Sequence, residues 1–250
     1  MENIRKELVN EMDRSKRILI IIPAYNEEDS IEKVADNLIT NFPQYDYVIV
    51  NDGSTDRTKK VCQNKGYEVL HLPVNMGIGG AVQTGYRYAW DNDYDMAVQM
   101  DGDGQHDVSF LEGMIRCMEE EQADCVIGSR FVEKEGFQSS GIRRVGIRFL
   151  SFLGWLLTGV KVKDITSGFR LVNRRFIQIF SQDYPADYPE PEAMIITAVH
   201  GGSIREYPVV MREREGGISS ITLKKSVYYM FKVTLAMLIR RLSFGVRRQK

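Results

Sequence analysis

Two carboxylates lie two residues apart directly after a short apolar run. Residues Met96 to Met100 have the composition of a buried strand, and Asp101-Gly-Asp103-Gly-Gln105 follows them. In an extended chain, side chains two residues apart point the same way and lie about 6–7 Å apart. The glycines between them let a ligand approach the backbone closely. Carboxylate oxygens beside open space suit Mg²⁺ or Mn²⁺ that a diphosphate already holds.

Two simpler interpretations compete with a metal–diphosphate site. Asp101, Asp103 and Glu112 fit positions one, three and twelve of a calcium-binding loop. That loop is excluded because His106 stands where the sharp turn requires glycine, and because an apolar strand replaces the entering helix. The second interpretation, an acidic turn after a strand, stays open at this point.

The charge of the chain is unevenly distributed. The 250 residues include 33 basic and 34 acidic side chains, a balance that does not favour nucleic acid as a partner. Residues 224–250, however, contain eight Lys or Arg and no Asp or Glu. The remainder carries 33 − 8 = 25 basic against 34 acidic residues, a net charge of −9. An acidic body with a basic tail is therefore expected.

The cysteines and the termini predict a cytosolic protein. Cys62, Cys117 and Cys125 are odd in number and lack metal-ligand spacing, so reduced packing residues are expected. Residues 1–16 are charged and lack the apolar segment of a signal peptide. Since no run reaches the roughly 18 apolar residues of a membrane-spanning helix, no such helix is expected.

Strands and helices alternate along the first half of the chain. The apolar runs at 17–23, 47–50, 68–72 and 96–100 predict strands, and the segments 30–38 and 75–90 show helical spacing. This alternation predicts a mainly parallel sheet with helices on both faces. In such sheets the ligand crevice lies at the carboxyl ends of the strands. Polar residues at these ends should therefore converge on one site: Tyr25, Glu27, Asp52, Asp101 and Asp103.

The glycine cluster before the second of these helices is not a dinucleotide-binding fingerprint. Gly77 and Gly79 supply its first two positions, but Val82 occupies the third. The cluster also follows the third predicted strand instead of the first. We expect no NAD site, although the start of this helix could still face a phosphate.

The second half of the chain supplies a further strand and several polar turns. Residues 125–130 predict a strand that delivers Arg130 to the same edge of the sheet. The remaining predicted elements are a polar turn at 164–170, a helix at 174–180, a second turn at 188–192 and a strand at 204–211. Residues 212–220 form either a mobile loop whose arginine closes over a charged ligand or a solvated surface loop.

Two apolar segments flanked by basic residues allow two interpretations each. Residues 141–157 are too short to span a bilayer, so they form either a buried helix or a helix at the membrane surface with Trp155 at headgroup level. Residues 226–239 are apolar except for Lys232, and basic residues lie on both sides. They predict an amphipathic helix that lies on an anionic bilayer, or one that docks on the body or on a partner subunit.

Six motifs in this order resemble those of the family 2 inverting glycosyltransferases, which have the GT-A fold. The motifs are IIPAYNE (21–27), VNDGSTD (50–56), NMGIGGA (75–81), MDGDGQH (100–106), GSR (128–130) and DITSGFR (164–170). The branch with polyprenyl or dolichyl phosphate acceptors is the most similar. The resemblance implies an α/β, Rossmann-like, mainly parallel sheet flanked by helices. It covers residues 17–220 as the catalytic domain, with 1–16 as an extension and 221–250 as a basic amphipathic, membrane-associating helix.

The resemblance also implies roles for individual residues. The nucleotide sugar would be bound by Pro23, Ala24, Tyr25, Glu27, Asp52, Gly53, Gly77, Asp101 and Gly102. The metal, Mg²⁺ or Mn²⁺, would be bound by Asp101, Asp103 and Gln105. The catalytic residues would be Asp103, Arg130, Asp164 and Arg214, and the acceptor phosphate would meet Arg130, Arg144, Arg214 and Ser219. Ser220 departs from the family, which often has Lys at that position.

The mechanism expected of such a site depends on the acceptor. A polyprenyl phosphate is largely ionised at pH 7 and needs no strong general base, whereas a sugar hydroxyl needs one. Candidates for that base are Asp164, Glu190 and Glu192. The resulting prediction is a peripheral enzyme at the cytoplasmic membrane face that moves a sugar from UDP-GlcNAc or UDP-Glc, with GDP-Man as an alternative, to undecaprenyl or dolichyl phosphate. Further predicted partners are a small membrane subunit or a second copy of the chain.

Two alternative functions stay open at the level of sequence. One is elongation of a surface polysaccharide on a sugar hydroxyl, with the same fold. The other is a nucleotide-binding or membrane scaffold subunit without activity, which the intact pair of Asp101 and Asp103 disfavours.

Overall fold

The structure, a computed structural model, describes residues 16–133, 141–211 and 223–247. Its strands are β1 (Ile18–Ala24), β2 (Asp46–Asn51), β3 (Val69–His71), β4 (Met96–Gln99), β5 (Cys125–Ser129), β6 (Arg170–Asn173) and β7 (Ile204–Pro208). Its α-helices are α1 (Ile31–Asn41), α2 (Thr58–Lys65), α3 (Gly77–Asp91), α4 (Leu111–Glu120), α5 (Gly141–Thr158), α6 (Arg174–Gln182), α7 (Pro189–Val199) and α8 (Leu223–Arg247).

The strands form one seven-stranded sheet in the order β3-β2-β1-β4-β6-β5-β7. The pairs β1–β2, β1–β4, β2–β3 and β5–β7 are parallel, whereas β6 runs antiparallel to both β4 and β5. The prediction of a mainly parallel α/β sheet flanked by helices is thereby confirmed.

Strand β1 lies in the middle of the parallel part because its sequence suits burial on both faces. All seven of its residues are buried, and three consecutive β-branched isoleucines favour the extended conformation. Alternate side chains enter opposite cores: Leu19 and Ile21 pack with α3, α6 and α7, whereas Ile20 and Ile22 pack with α1 and α4. The sheet thus holds its carboxyl-terminal edge rigidly between two layers of helices.

Strand β6 was not predicted from the sequence. Arg170 begins it and is only 2% exposed, a position where an arginine is rarely found. Its guanidinium donates to the backbone carbonyls of Ser167, Glu190 and Ile165. These acceptors lie in the loop before β6 and at the start of α7. The local sequence does not reveal them, so the residues around Arg170 predict a polar turn instead of a buried strand.

Residues 188–192, predicted as a turn, instead begin α7. Tyr188 adopts a left-handed conformation with φ of 49°, and Pro189 occupies the first helical position, where its missing N–H costs no hydrogen bond. Glu190 therefore lies in the first turn of a helix whose side is packed into the core.

Helix α8 docks on the body through one side. Val233 and Met237 are buried in the same core as Met194 of α7. Lys232 pairs with Asp187, and Arg240 pairs with Asp183. One side of residues 226–239 thus docks on the body, and contact of the helix with a bilayer stays a prediction. No helix among the described residues is long and apolar enough to cross a membrane.

Candidate functional site

A cleft of about 360 Å³ opens at the carboxyl ends of β1, β2 and β4. The end of β1, the loop after β2, the start of α3 and the acidic stretch after β4 contribute its walls. Its lining residues are Pro23, Ala24, Tyr25, Glu27, Asp52, Asn75, Gly77, Ile78, Ala81, Asp101, Gly102 and Asp103. The volume is in the range of cavities that hold small organic ligands.

Eight of the nine residues predicted to bind a nucleotide sugar line this cleft. The ninth, Gly53, has a left-handed φ of 63°, and a Cβ there would lie 2.7 Å from the backbone nitrogen of Asn75. Gly53 therefore allows the loop after β2 to pack against the segment before α3. The sequence interpretation missed Asn75, Ile78 and Ala81, although all three fall within the glycine-rich motif that it quoted.

The carboxylate of Asp52 links β2 to the start of α3. Asp52 is 2% exposed, and its Oδ1 accepts a hydrogen bond of 2.7 Å from the backbone N–H of Met76. The N–H groups of Gly77 and Gly79 donate to Asn75 Oδ1 and to the carbonyl of Ala186. Two of the first N–H groups of α3 are thus already satisfied, and the expectation that this helix start faces a phosphate stays a prediction.

Asn26 ties together the two loops at the mouth of the cleft. Its φ of 57° is left-handed, a conformation that asparagine tolerates better than most residues. Its side-chain oxygen accepts hydrogen bonds from the backbone N–H groups of Thr55 and Asp56, at 2.8 and 3.3 Å. This clamp fixes the loop that carries Tyr25 and Glu27. Its signal in the sequence was only the Asn within the first motif.

The two aspartates after β4 both line the cleft. The Asp101 side chain is 40% exposed, and Asp103 Oδ1 accepts from the backbone N–H of Gln105 at 3.0 Å. No cluster of three His, Cys, Asp or Glu residues able to hold a metal ion occurs among the described residues. The two carboxylates nevertheless fit a cation that a bound diphosphate coordinates in part, since Mg²⁺ and Mn²⁺ prefer such oxygen ligands.

Arg130 and Asp164 form a buried, two-pronged ion pair. Arg130 Nε and a terminal nitrogen donate to the two carboxylate oxygens of Asp164, both at 2.7 Å, and the Arg130 backbone N–H adds a third bond. Asp164 is fully buried. Because the Arg130 guanidinium occupies both carboxylate oxygens, Asp164 is poorly placed to accept a proton from a substrate. The geometry indicates that Asp164 orients Arg130. A catalytic role of either residue stays a prediction.

Of the three carboxylates predicted as candidate bases, Glu190 is the one that lies near the Asp101 carboxylate. Burial raises its pKa to about 7; the Arg170 guanidinium opposes this increase, and the Asp101 carboxylate adds to it. Glu192 instead faces α8, where its carboxylate lies 3.7 Å from Arg240 Nε. Burial also raises the pKa of Glu192.

Of the remaining predicted residues, the structure describes Arg144 and Gln105, and neither lines the cleft. Arg144 is exposed in the first turn of α5 and makes no hydrogen bond or ion pair with the part of the chain that the structure describes. Gln105 follows Asp103 but does not line the cleft. Arg214 and Ser219 lie outside the described residues, and their predicted roles in binding the acceptor stay predictions.

Comparison with known proteins identifies the family of the chain. The family model described as glycosyl transferase family 2 matches residues 19–180. The chain is 33% identical to UDP-N-acetylglucosamine–dolichyl-phosphate N-acetylglucosaminyltransferase of Methanococcus voltae, over 78% of this chain and 85% of the relative. It is 30% identical to undecaprenyl-phosphate mannosyltransferase of Micrococcus luteus, over 82% of this chain and 88% of the relative.

Solved structures share the fold at lower identity. Glucosyl-3-phosphoglycerate synthase of Mycobacterium tuberculosis superposes with a TM-score of 0.70 and 21% identity, over 90% of this chain and 80% of that one. Another structure of that enzyme, with Mn²⁺, uridine diphosphate and phosphoglyceric acid, gives a TM-score of 0.69. The fold is therefore that of the GT-A glycosyltransferases. The chain belongs to glycosyl transferase family 2 and is an enzyme related to the polyprenyl-phosphate sugar transferases.

Proposed function

We propose that this enzyme transfers a sugar from a uridine diphosphate sugar to a polyprenyl phosphate at the cytoplasmic face of a membrane. The observation that carries the proposal is the cleft in which Asp52, Asp101 and Asp103 meet. The names of the two relatives support the acceptor, since both act on a lipid phosphate. The donor is UDP-GlcNAc or UDP-Glc.

Asp52 and Tyr25 account for the nucleotide end of the donor. Asp52 Oδ1 is occupied by the Met76 N–H, and its Oδ2 makes no hydrogen bond with the described residues, which leaves an acceptor for an N–H or O–H of the nucleoside. Tyr25 is 45% exposed at the mouth, where its ring can stack on a base. These groups suit a nucleoside at the β1–β2 side of the cleft.

Asp101 and Asp103, with Gln105 beside them, would hold the divalent cation at the diphosphate. Such a cation takes up negative charge on the departing nucleoside diphosphate. The chain's own part is to bring two carboxylates into the cleft directly after a buried strand. Gly102 allows this stretch to pack closely on β1, since a Cβ there would lie 3.2 Å from the carbonyl oxygen of Pro23, and Gly104 has a left-handed φ of 76°.

An anionic acceptor fits the arginines that the resemblance assigns to its phosphate, which are Arg130, Arg144 and Arg214. Its phosphate oxygen is already largely ionised near neutral pH, so arginines that offset the charge of two anionic substrates matter more than a base. Arg130 is held in a fixed direction by Asp164, at the end of β5. We propose that Arg214 and Ser219 complete the acceptor site.

A sugar hydroxyl is the second candidate acceptor, and one observation favours it. Glu190 has a pKa of about 7 and lies near Asp101, so it could take a proton from a hydroxyl near neutral pH. With this acceptor the enzyme would elongate a polysaccharide. The two candidates differ in their dependence on Glu190.

We further propose that the enzyme binds the membrane through the outer faces of α5 and α8. The two helices are neighbours, since Arg241 Nε donates to the carbonyl of Leu157. Each has an exposed apolar stripe at spacings of three and four residues. This two-helix apolar face consists of Val145, Phe149, Phe152, Trp155 and Leu156 on α5, and of Tyr228, Phe231, Leu235, Leu238, Ile239 and Leu242 on α8.

The occupant proposed for this face is an anionic bilayer. Residues 224–250 carry eight basic and no acidic side chains, and basic residues near a negative surface contribute on the order of 1 kcal/mol each. Exposed Trp155 suits the headgroup region, and Lys161 lies over its ring at 5.9 Å.

The decisive experiment for the reaction is a donor screen. Purified enzyme is incubated with undecaprenyl phosphate, Mn²⁺ or Mg²⁺ and one radiolabelled nucleotide sugar at a time, and the lipid product is extracted. We expect a labelled lipid from UDP-GlcNAc or UDP-Glc. Label that appears only on an added oligosaccharide would establish the hydroxyl acceptor, and label only from GDP-Man would overturn the uridine assignment.

The membrane proposal is tested by flotation with phosphatidylglycerol liposomes. The double variant Phe231→Ser/Leu242→Ser should lose binding because it removes two large apolar groups from the outer face of α8. Ile39→Ser is the matched control, since Ile39 is an exposed apolar residue on α1. Equal binding of the double variant and the control variant would show that this face does not contact lipid.

A further inference from the structure

We propose that His106 is a positioning residue that fixes Asp101 for binding of the divalent cation. This inference rests on the proposed function, in which Asp101 is a metal ligand. It goes beyond the predicted metal ligands because His106 is neither a lining residue of the cleft nor a candidate ligand. The argument depends on where the two nitrogens of the imidazole lie.

The imidazole closes the acidic loop from inside the protein. The His106 side chain is only 3% exposed. The backbone N–H of Asp101 donates to His106 Nδ1 at 3.0 Å, across the five residues of the loop. A backbone N–H can only donate, so Nδ1 is the unprotonated nitrogen and Nε2 carries the proton.

This arrangement excludes His106 itself as a metal ligand. Its one lone pair, on Nδ1, is used by the Asp101 N–H. The protonated Nε2 lies 4.0 Å from the Oδ2 atom of the Asp101 carboxylate. The ring therefore contacts both the backbone and the carboxylate of Asp101, which are the two parts that set where the oxygens point.

The ring is itself held in place by the segment that follows Asp164. Phe169 stacks on His106 with ring centroids 5.1 Å apart and planes 16° from parallel. The preceding Gly168 borders the Asp101 carboxylate, since a Cβ at residue 168 would lie 3.1 Å from both carboxylate oxygens. Asp101 is thus confined between His106 and Gly168, with Gln99 Nε2 at 3.5 Å from its Oδ1.

Two contacts of His106 can be separated by substitution. His106→Phe keeps a flat ring that can stack on Phe169 but removes the acceptor at the Nδ1 position. His106→Asn keeps an oxygen acceptor near that position but removes the ring. If the hydrogen bond to the Asp101 N–H is what positions the carboxylate, the Asn variant should resemble the wild type and the Phe variant should not.

The measurement is the affinity for Mn²⁺ in the presence of UDP. Electron paramagnetic resonance reports the concentration of free Mn²⁺, and no sugar is transferred during the assay. We expect His106→Phe to weaken Mn²⁺ binding about tenfold or more, as loss of a residue that orients a metal ligand commonly does. His106→Asn should stay within about threefold of the wild type. The Mn²⁺ concentration for half-maximal transfer should shift in the same order, with a smaller effect on the KM for the acceptor.

The outcomes separate this inference from the proposed function. Wild-type enzyme that binds no Mn²⁺ with UDP would overturn the metal assignment and this inference with it. Normal Mn²⁺ binding by wild type and by His106→Phe alike would overturn the role of His106 alone. An Asn variant as weak as the Phe variant would overturn the hydrogen bond as the cause. Melting temperatures of both variants check that the protein stays folded.

Discussion

The guanidinium of Arg130 and the carboxylate of Asp164 form a two-pronged ion pair, with two bonds of 2.7 Å, inside the protein. The pair joins the end of β5 to the loop before β6, next to the acidic stretch that follows β4. Removal of one partner from such a pair commonly costs about 3–5 kcal/mol, because the other charge stays buried without compensation.

We therefore expect Asp164→Asn to lower the free energy of unfolding by about 3 kcal/mol and to reduce transfer at least tenfold. Arg130→Lys should also lower transfer, since an ammonium group cannot make both bonds. Urea unfolding and a transfer assay measure the two effects. A double variant, Arg130→Met/Asp164→Leu, should recover stability without recovering transfer. Wild-type stability and transfer in Asp164→Asn would contradict the assigned role.

Asp103→Asn should nearly abolish transfer, because the variant removes one anionic ligand of the diphosphate-bound cation. Glu112→Gln is the control, since Glu112 lies exposed on α4 outside the cleft. Transfer by the wild type should also disappear in excess EDTA and return with Mn²⁺ or Mg²⁺. Full activity in EDTA, or a loss of only a few-fold in Asp103→Asn, would contradict the metal assignment.

The raised pKa of Glu190 predicts a stability that depends on pH. Its pKa is about 7 in the folded chain against a reference of 4.5, so the folded form holds the proton more tightly. The stabilisation is complete below about pH 4.5 and is lost as the pH rises to about 7, a change of about 3 kcal/mol. Glu190→Gln should remove this loss. Its melting temperature in EDTA should exceed that of the wild type at pH 8, with little difference at pH 4.5.

The same variant distinguishes the two acceptors. With a lipid phosphate, Glu190→Gln should keep measurable transfer, and the pH–rate profile of the wild type should be shallow. With a hydroxyl acceptor, transfer by the wild type should rise with pH through about 7, because the carboxylate must be ionised to take the proton. The Gln variant would then be inactive although it still binds the donor.

The two sides of α8 should respond differently to truncation. Met237 is fully buried, and Met237→Ala should cost about 2–5 kcal/mol in the free energy of unfolding. Leu242 is 69% exposed, and Leu242→Ala should change stability by about 0.5 kcal/mol or less. Urea unfolding of the two variants without lipid measures both values. Equal effects would show that α8 does not dock as described.

The strand ends and their polar residues could be predicted from the sequence because both follow local rules. The apolar run that became β1 allows hardly any alternative to a buried strand, and parallel strands bring their carboxyl ends to one edge. Tyr25, Asp52 and Asp101 were thereby expected together, and the structure places all three in the cleft.

The parts that could not be predicted depend on contacts between distant segments. Arg170 reads as a solvated residue until the three carbonyls that hold it are known. Docking of α8 was one of two alternatives that the sequence left open, because nearly all of residues 226–239 are apolar; only the contacts with α7 show that Val233 and Met237 enter the core. His106 carries no signal of its own, because the N–H that it accepts and the ring on which it stacks come from residues 101 and 169.

The position of β6 has a consequence for the order in which the chain can fold during synthesis. The first four strands form the continuous half-sheet β3-β2-β1-β4, but β5 cannot join it until β6 fills the place beside β4. A nascent chain that has not yet reached Asn173 therefore carries an unpaired strand edge on β4 and a finished β5 with no neighbour in the sheet. Open strand edges promote association with other chains, so synthesis interrupted in this interval should yield an aggregation-prone fragment even though half of the sheet is complete.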